Sequence, residues 1–388
     1  MLSWPRCSKQ TSEQVVPVLP SLHRTNLPAA IGLALLVLAC TVLPSPPAVW
    51  ETRAPPDDSQ GRGANVADLK NASLLPEIGF EWLKSFVFWS RSQLNERGRY
   101  RWHDLDKALG TAARSDLRLL LRVDQAPLWT HPDNTSHTAP PDEEHLQAWG
   151  DFLEAMARHA RGRVDAYEIW NEPNLASEWG DEAPDPAYYA RMLAIAYERI
   201  HRADPQALVV SAGFAPTLGG NGNMGNLEYL QALYDVGGPR CDVLGSHPYG
   251  YASPPDADPY AQASFREAEK EYAIASAHDD GSKRVWATEF GWMLTPESGG
   301  HSECRDYFAE AGRWYGVSAQ EQAQYLVQAF EYASAHWPWM GVMFVFNLDF
   351  AAAPWYTDPC DPMTYESLLA PDGSPRPAFN AMKSAAGG

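Results

Sequence analysis

The sequence predicts an α/β fold, a (β/α)8 TIM barrel preceded by an N-terminal hydrophobic anchor and a linker. From Gly63 onward, short apolar runs alternate with amphipathic segments, which is the pattern of repeated βα units around a parallel sheet. Eight such units can be counted along the chain. With 388 residues, 45% of them hydrophobic, the chain is long and apolar enough to bury the core of one barrel domain.

The N-terminal part differs in composition from the rest of the chain. Residues 27–43 form an almost unbroken apolar run of 17 residues, and three basic residues precede it within the polar segment 1–26. This pattern predicts a transmembrane anchor or a signal segment, with 1–26 in the cytoplasm and everything after the run outside. Lipidation at Cys40 is a third alternative, because the residues that end in Cys40 resemble a bacterial lipobox. A proline-rich linker, 44–61, then leads to the barrel domain, 62–388.

The elements of the barrel follow from periodicity, capping residues and helix breakers. The predicted strands are 63–66, 81–88, 117–123, the apolar run before Glu172, 207–213, 242–246, 284–289 and 341–346. The predicted helices are 69–78, an amphipathic segment around 146–156, a helix from Pro186 with Asp185 as N-cap, 227–236, a helix after Ser318 with Glu321 in capping-box position, and 378–385.

Two of these strands end in a glutamate in similar surroundings. Glu172 stands between Asn171 and Pro173, and Glu289 follows a strand of the same apolar character. The proline lacks an amide donor and disfavours helix at the preceding residue, so the chain is expected to leave the strand at Glu172. Either glutamate alone could be an ordinary solvated charge at a strand end. Their joint occurrence favours a pair of working carboxyl groups on the C-terminal ends of strands 4 and 7, the face where such barrels carry their chemistry.

Two carboxyl groups at one end of a barrel are what retaining glycoside hydrolysis requires. One protonates the leaving oxygen while the other attacks the anomeric carbon. The acid needs a raised pKa and the nucleophile must stay ionised, which different surroundings can arrange for two groups of the same type.

The segments 170–173 and 288–291 read WNEP and TEFG and resemble the acid/base and nucleophile signatures of clan A glycoside hydrolases, which are retaining (β/α)8 enzymes. The nearest likeness is to the branch with β-xylosidases, α-iduronidases and some exopolysaccharide endoglycosidases, over about residues 62–386. The resemblance implies that Glu172 is the acid/base and Glu289 the nucleophile. It also implies that Asn171 hydrogen-bonds the sugar 2-hydroxyl, although a plain turn amide is the alternative.

Further residues are predicted to bind substrate. His247 and Tyr249 resemble the strand-six pair of that family, which lies beside the nucleophile and the sugar; a structural histidine and an ordinary packed tyrosine are the alternatives. Four tryptophans on or after strand ends are expected as sugar-stacking walls, with loop packing as the alternative for each: Trp89, Trp129, Trp179 and Trp292. The sequence leaves open whether Arg122 pairs with a carboxylate of the site or with Asp124.

One position departs from the family pattern. Many clan members carry a tryptophan under the sugar at the end of strand 8, whereas this chain has Phe346 there. Trp355 could replace it from the following loop. The two-glutamate mechanism is unaffected, but no particular sugar specificity can be carried over.

Cysteine usage predicts one disulfide. Cys304 and Cys360 fall in loops after the last two strands, which are neighbours in a barrel. An exported domain is in an oxidising environment, where these two thiols would form a disulfide. Cys241, at the start of strand 6, is expected to be a buried free thiol. The histidines show no metal-site spacing, and the two-glutamate mechanism needs neither a metal nor a cofactor.

The sequence therefore predicts a membrane-anchored or secreted retaining glycoside hydrolase, extracytoplasmic, acting on a polysaccharide or oligosaccharide. The net charge of −19 and the lack of basic patches argue against nucleic acid as a partner. Three alternatives stay open: a catalytically silent polysaccharide-binding barrel, a transglycosylase that uses the same two glutamates, and a structural or adhesion domain displayed from the membrane. The sugar, its linkage, and internal or terminal cleavage also stay open.

Overall fold

The computed structural model describes residues 60–96, 98–260, 264–310 and 315–387. The predicted cytoplasmic segment, the hydrophobic run with Cys40 and most of the linker lie outside these ranges. Within them, no helix is both long and apolar enough to cross a membrane.

Eight parallel strands form one closed barrel in sequence order, as predicted. Each strand pairs with the next along the chain, and the first pairs with the eighth, so the sheet has no free edge. The strands are β1 Gly61–Asn65, β2 Trp82–Phe88, β3 Arg118–Asp124, β4 Ala166–Ile169, β5 Leu208–Ser211, β6 Val243–Ser246, β7 Arg284–Phe290 and β8 Met340–Val345.

Helices lie between the strands and after β8. They are α1 Trp89–Ser92, α2 His103–Arg114, α3 Leu146–Ala160, α4 Pro186–Ala203, α5 Asn226–Asp235, α6 Glu267–Ala277, α7 Pro296–Gly299, α8 Arg305–Glu310, α9 Ala319–His336 and α10 Pro377–Ala386. The predicted caps are present: Asp185 accepts from the amide of Tyr188, and Ser318 and Glu321 form both halves of a capping box.

Two element predictions need correction. The predicted helix 69–78 is two 3-10 helices, Leu69–Leu74 and Pro76–Ile78, because Pro76 has no amide hydrogen to continue the first one. β4 ends at Ile169, three residues before the predicted exit at Glu172, because Trp170 already has a left-handed backbone with φ of 75°.

The barrel interior has an apolar lower part and a charged upper part. Eight buried side chains fill the lower part, and they include an edge-to-face pair with ring centroids 5.1 Å apart: Trp82, Leu120, Ala166, Val210, Val243, Trp286, Val342 and Phe344. Side chains alternate along a strand, so the residue two positions further on faces the same side. On β2, β3 and β4 those residues are Lys84, Arg122 and Glu168, all buried, and they extend the interior towards the C-terminal mouth.

The long connections after β7 and β8 are joined by the predicted disulfide between Cys304 and Cys360, with Cα atoms 5.3 Å apart. The first of these connections contains α7, a 3-10 helix and α8, where a loop without helices is the simplest expectation for residues 292–317. Cys241 is a buried free thiol, as predicted.

We expect the Cys304→Ser/Cys360→Ser double variant to lose about 4 kcal/mol of unfolding free energy, because the disulfide closes a long loop in the unfolded chain. Urea unfolding measures this loss through the transition midpoint and its slope. The unmodified protein unfolded with a thiol reductant is the matched control and should show the same loss. A loss in the double variant below about 1 kcal/mol would contradict the chain-entropy account of this disulfide.

Candidate active site

The turn that follows β4 places Glu172 at the mouth of the barrel. Trp170 and Glu172 both have positive φ, 75° and 38°, in a region that non-glycine residues occupy at a cost of about 1–3 kcal/mol each. Hydrogen bonds to β3 and to the segment after β5 hold them there: the Trp170 amide donates to Val123 O at 3.0 Å, and the Glu172 amide donates to Gly213 O at 3.2 Å. Backbone strain fixed by such contacts is typical of functional positions.

Glu289, at the end of β7, accepts hydrogen bonds on both carboxylate oxygens. Oε1 receives Arg122 Nη1 at 3.1 Å and Lys84 Nζ at 3.3 Å, and Oε2 receives the Tyr249 hydroxyl at 2.8 Å. Burial raises the pKa of Glu289, but the positive charges of His247, Lys84 and Arg122 outweigh it and lower the pKa below its ordinary value. The group is therefore held ionised, as a nucleophile must be.

His247, directly after β6, lies between the two glutamates. Its Nδ1 is 2.9 Å from Glu172 Oε1 and 3.9 Å from Glu289 Oε2. Burial lowers the pKa of His247, but the negative charges of Glu289, Glu168 and Glu172 raise it to about 9. At neutral pH the ring is an imidazolium that donates to Glu172. One donor or acceptor atom from each of Glu172, His247 and Glu289 lies within 4.8 Å of the other two.

Sequence reasoning missed Lys84 and Glu168, which are fully buried below this group. Lys84 Nζ lies 2.7 Å from Glu168 Oε2, and Glu168 Oε1 lies 3.7 Å from His247 Nε2. Burial raises the pKa of Glu168, but Lys84, His247 and Arg122 lower it to about 2. The sequence does contain one signal for these two residues. Each is a charged residue at an inward position of an otherwise apolar strand, and a charge there must have a partner because an unpaired buried charge would be very costly.

Arg122 pairs with both partners that the sequence left open. Its Nε lies 2.9 Å from Asp124 Oδ2, and its Nη1 contacts Glu289. The same Nη1 donates to Asn171 Oδ1 at 2.8 Å. That contact occupies the amide oxygen, and the amide nitrogen donates to the Glu178 carboxylate, so one N–H of Asn171 is left for its predicted contact to a sugar hydroxyl.

A third carboxyl group, Glu178, lies near Glu172 on the 3-10 helix Ala176–Glu178. It is buried, and burial followed by the charge of Glu172 raises the pKa of Glu178 to about 8. The Trp170 indole donates to the Glu178 carbonyl at 3.0 Å, which ties this helix to the turn after β4. Its position was not predicted, because nothing in the local sequence distinguishes it from a surface glutamate.

The predicted sugar-stacking role of the four tryptophans needs correction at three positions. Trp89, Trp179 and Trp292 are buried, with exposed fractions of 0%, 3% and 0%, and cannot offer a ring face to a sugar. Trp89 stacks on Phe152, and the Trp292 indole donates to Ser253 O at 2.8 Å. A sequence position after a strand end does not determine whether a ring faces the cleft or the surrounding helices. Trp129 is half-buried and stays a prediction.

Aromatic residues also lie around Tyr249. Tyr249 is half-buried and makes an edge-to-face contact with Phe346, with centroids 6.2 Å apart. Phe346 directly follows β8, is almost fully buried and packs on Phe350. Trp355, proposed from the sequence as a replacement, is 57% exposed on the following loop.

Among the described residues, Glu172, His247 and Glu289 are the one group of metal-binding residue types whose donor atoms lie close enough to share an ion. The positive charges of Lys84 and Arg122 beside Glu289 oppose a metal cation there. We assign no metal or cofactor to the site.

No protein-family model and no curated protein matches the chain. Solved structures of glycoside hydrolases do match its fold. A family 39 glycoside hydrolase from the gut symbiont Bacteroides cellulosilyticus WH2 is 19% identical with a TM-score of 0.63, over 84% of this chain and 63% of that chain. A monomeric β-xylosidase from Caulobacter crescentus CB15 is 18% identical with a TM-score of 0.57, over 86% of this chain and 69% of that chain.

A third match, xylanase 10B from Thermotoga maritima, is 16% identical with a TM-score of 0.53, over 84% of this chain and 94% of that chain. The chain shares the barrel fold of these enzymes. Identities this low establish the fold alone, so activity has to be argued from the site.

We expect Gly213→Ala to displace His247, because a Cβ atom at position 213 would lie 2.1 Å from His247 Cδ2. Overpacking of this kind costs about 1–3 kcal/mol, which urea unfolding can measure. Gly225→Ala, in the same β5–α5 connection, is the matched control, because its nearest contact would be an ordinary 3.4 Å. Equal losses in both variants would contradict the crowding of His247.

Proposed function

We propose that this protein is a retaining glycoside hydrolase that cleaves an O-glycosidic bond of a polysaccharide or oligosaccharide. The observation that carries the proposal is the pair of carboxyl groups after β4 and on β7, with an oxygen of each within 4.8 Å of the other. Retaining enzymes place these groups about 5–5.5 Å apart, whereas inverting enzymes need about 6.5–9.5 Å to admit a water molecule. The spacing therefore favours double displacement.

The surroundings of Glu289 support its role. Glu289, ionised and held by three donors, attacks the anomeric carbon as the bond to the leaving oxygen breaks. Glu172 gives that oxygen its proton, and a glycosyl ester of Glu289 results. Glu172 then takes a proton from water, whose oxygen attacks the anomeric carbon and releases Glu289. Among the described residues, Glu172 Oε2 makes no hydrogen bond, which leaves it for the leaving group.

Substrate and location are part of the same proposal. The matching structures include a β-xylosidase and a xylanase, so aryl β-xylosides and xylan are the first substrates to try, beside β-glucosides and bacterial polysaccharides. The disulfide between Cys304 and Cys360 supports an oxidising, extracytoplasmic location. Membrane attachment through residues 27–43 remains a prediction from the sequence.

We expect Glu172→Gln and Glu289→Gln each to lower kcat by at least about 10²–10⁴-fold, because each removes a group that reacts in the transition state. Hydrolysis of the substrate panel by the full chain, followed by NMR of the first product anomer, measures both rate and stereochemistry. Glu303→Gln is the matched control, since this glutamate is exposed and lies outside the site.

Retention of the anomeric configuration and loss of turnover in both site variants are the expected results. An inverted first product would contradict double displacement. Glycosyl transfer to added sugar in place of water would favour the transglycosylase, which uses the same intermediate. Saturable polysaccharide binding without turnover, unchanged in both variants, would contradict the enzyme and support the alternative of a polysaccharide-binding protein.

A further inference from the structure

Lys84 and Glu168 form an ion pair that the proposed reaction does not use. Both side chains are completely buried, and Lys84 Nζ lies 2.7 Å from Glu168 Oε2. A buried ion pair is weak evidence for stability, because the loss of hydration offsets the attraction between the charges, and an apolar pair of the same size often serves the fold equally well. The fold alone therefore does not explain why two charges occupy this part of the barrel.

Each partner of the pair also reaches a residue of the active site. Lys84 Nζ donates to the Thr288 carbonyl at 3.0 Å and to Glu289 Oε1 at 3.3 Å. Glu168 Oε1 lies 3.7 Å from His247 Nε2, on the side of the ring opposite the contact with Glu172. One buried pair thus connects the residue after β6 with the end of β7.

We infer that Lys84 and Glu168 are positioning residues: Lys84 holds Glu289 in its ionised form, and Glu168 holds His247 as the imidazolium that donates to Glu172. The inference rests on the proposed function, because it assigns a purpose to the charges of the same two glutamates. Neither Lys84 nor Glu168 touches the reacting atoms; both act through the side chains that they contact.

Other charged and titratable groups face the same cluster and limit the expected effect. They come from β3, the loops after β4, β6 and β8, and helix α6: Arg122, Asp124, Glu172, Glu178, Tyr249, Glu271, Tyr356 and Glu366. Arg122 supplies Glu289 with a second cation at 3.1 Å. Removal of Lys84 should therefore shift the ionisation of Glu289 without abolishing it.

The direction of the shift follows from the charges. Lys84 lowers the pKa of Glu289 and Glu168 raises it. A nucleophile loses activity as the pH falls through its pKa, so removal of Lys84 should move the acid limb of kcat/KM to higher pH. Removal of the Glu168 charge as well takes away an anion that repels ionised Glu289. The acid limb of kcat/KM should then move part of the way back to lower pH.

The first test is the pH profile of kcat/KM for the full chain, Lys84→Met and Lys84→Met/Glu168→Gln. We expect the acid limb of Lys84→Met to move up by about one pH unit, the lower end of the effect of a close charge, and the double variant to fall between the two. Lys70→Met is the matched control, because this lysine is 63% exposed and pairs with Asp68, away from the site. A uniform loss of rate with an unmoved acid limb would overturn the inference.

The second test needs no substrate. NMR titration of the His247 ring, identified by its absence in His247→Gln, should show an imidazolium up to a pH near the raised pKa of about 9. In Lys84→Met/Glu168→Gln, which removes both charges together and leaves no unpaired ion, this pKa should fall by about one unit. An unchanged His247 titration would overturn the inference even if the enzyme is active. A fall in a protein that hydrolyses nothing would support the charge network while the proposed function fails.

Discussion

The active-site arrangement depends on one buried charge, the ammonium group of Lys84. It lies within 3.3 Å of carboxylate oxygens from two different strands, Glu168 on β4 and Glu289 on β7. Removing one partner of a buried ion pair leaves the other unpaired and costs about 3–5 kcal/mol. If the ends of β4 and β7 moved apart, Lys84 would lose one of its partners at this cost. The same pairing therefore limits the distance between Glu172 and Glu289.

The barrel makes such a cluster possible because its interior changes character along the strands. Trp82, Trp286 and Phe344 fill the lower part with aromatic contacts and exclude water from below. The next inward positions carry Lys84, Arg122 and Glu168; Lys84 pairs with Glu168, and both cations pair with Glu289. In this dry region each ionic contact is stronger than at the surface, so a few fixed cations suffice to keep a buried carboxylate ionised.

Local patterns allowed the strands, several helices, both glutamates and the disulfide to be placed from the sequence. The left-handed backbone at Trp170 could not be, because that position has no glycine or asparagine and is held by a hydrogen bond to Val123 O on β3, which forms only in the folded barrel. The roles of Trp89 and Trp292 also depend on which way a ring turns at a strand end. Lys84 and Glu168 were missed because their partners lie on other strands, and no local pattern records such a pairing.

The position of His247 resolves the main electrostatic difficulty of the proposed mechanism. Two carboxyl groups within 4.8 Å repel each other, and such a pair normally retains a proton between them. Here an imidazolium contacts Glu172 at 2.9 Å and faces Glu289 at 3.9 Å, so one cation offsets the repulsion between the two carboxyl groups. The ring fits only because position 213 has no side chain. Gly213, just after β5, is thus part of the charge balance, although it carries no charge itself.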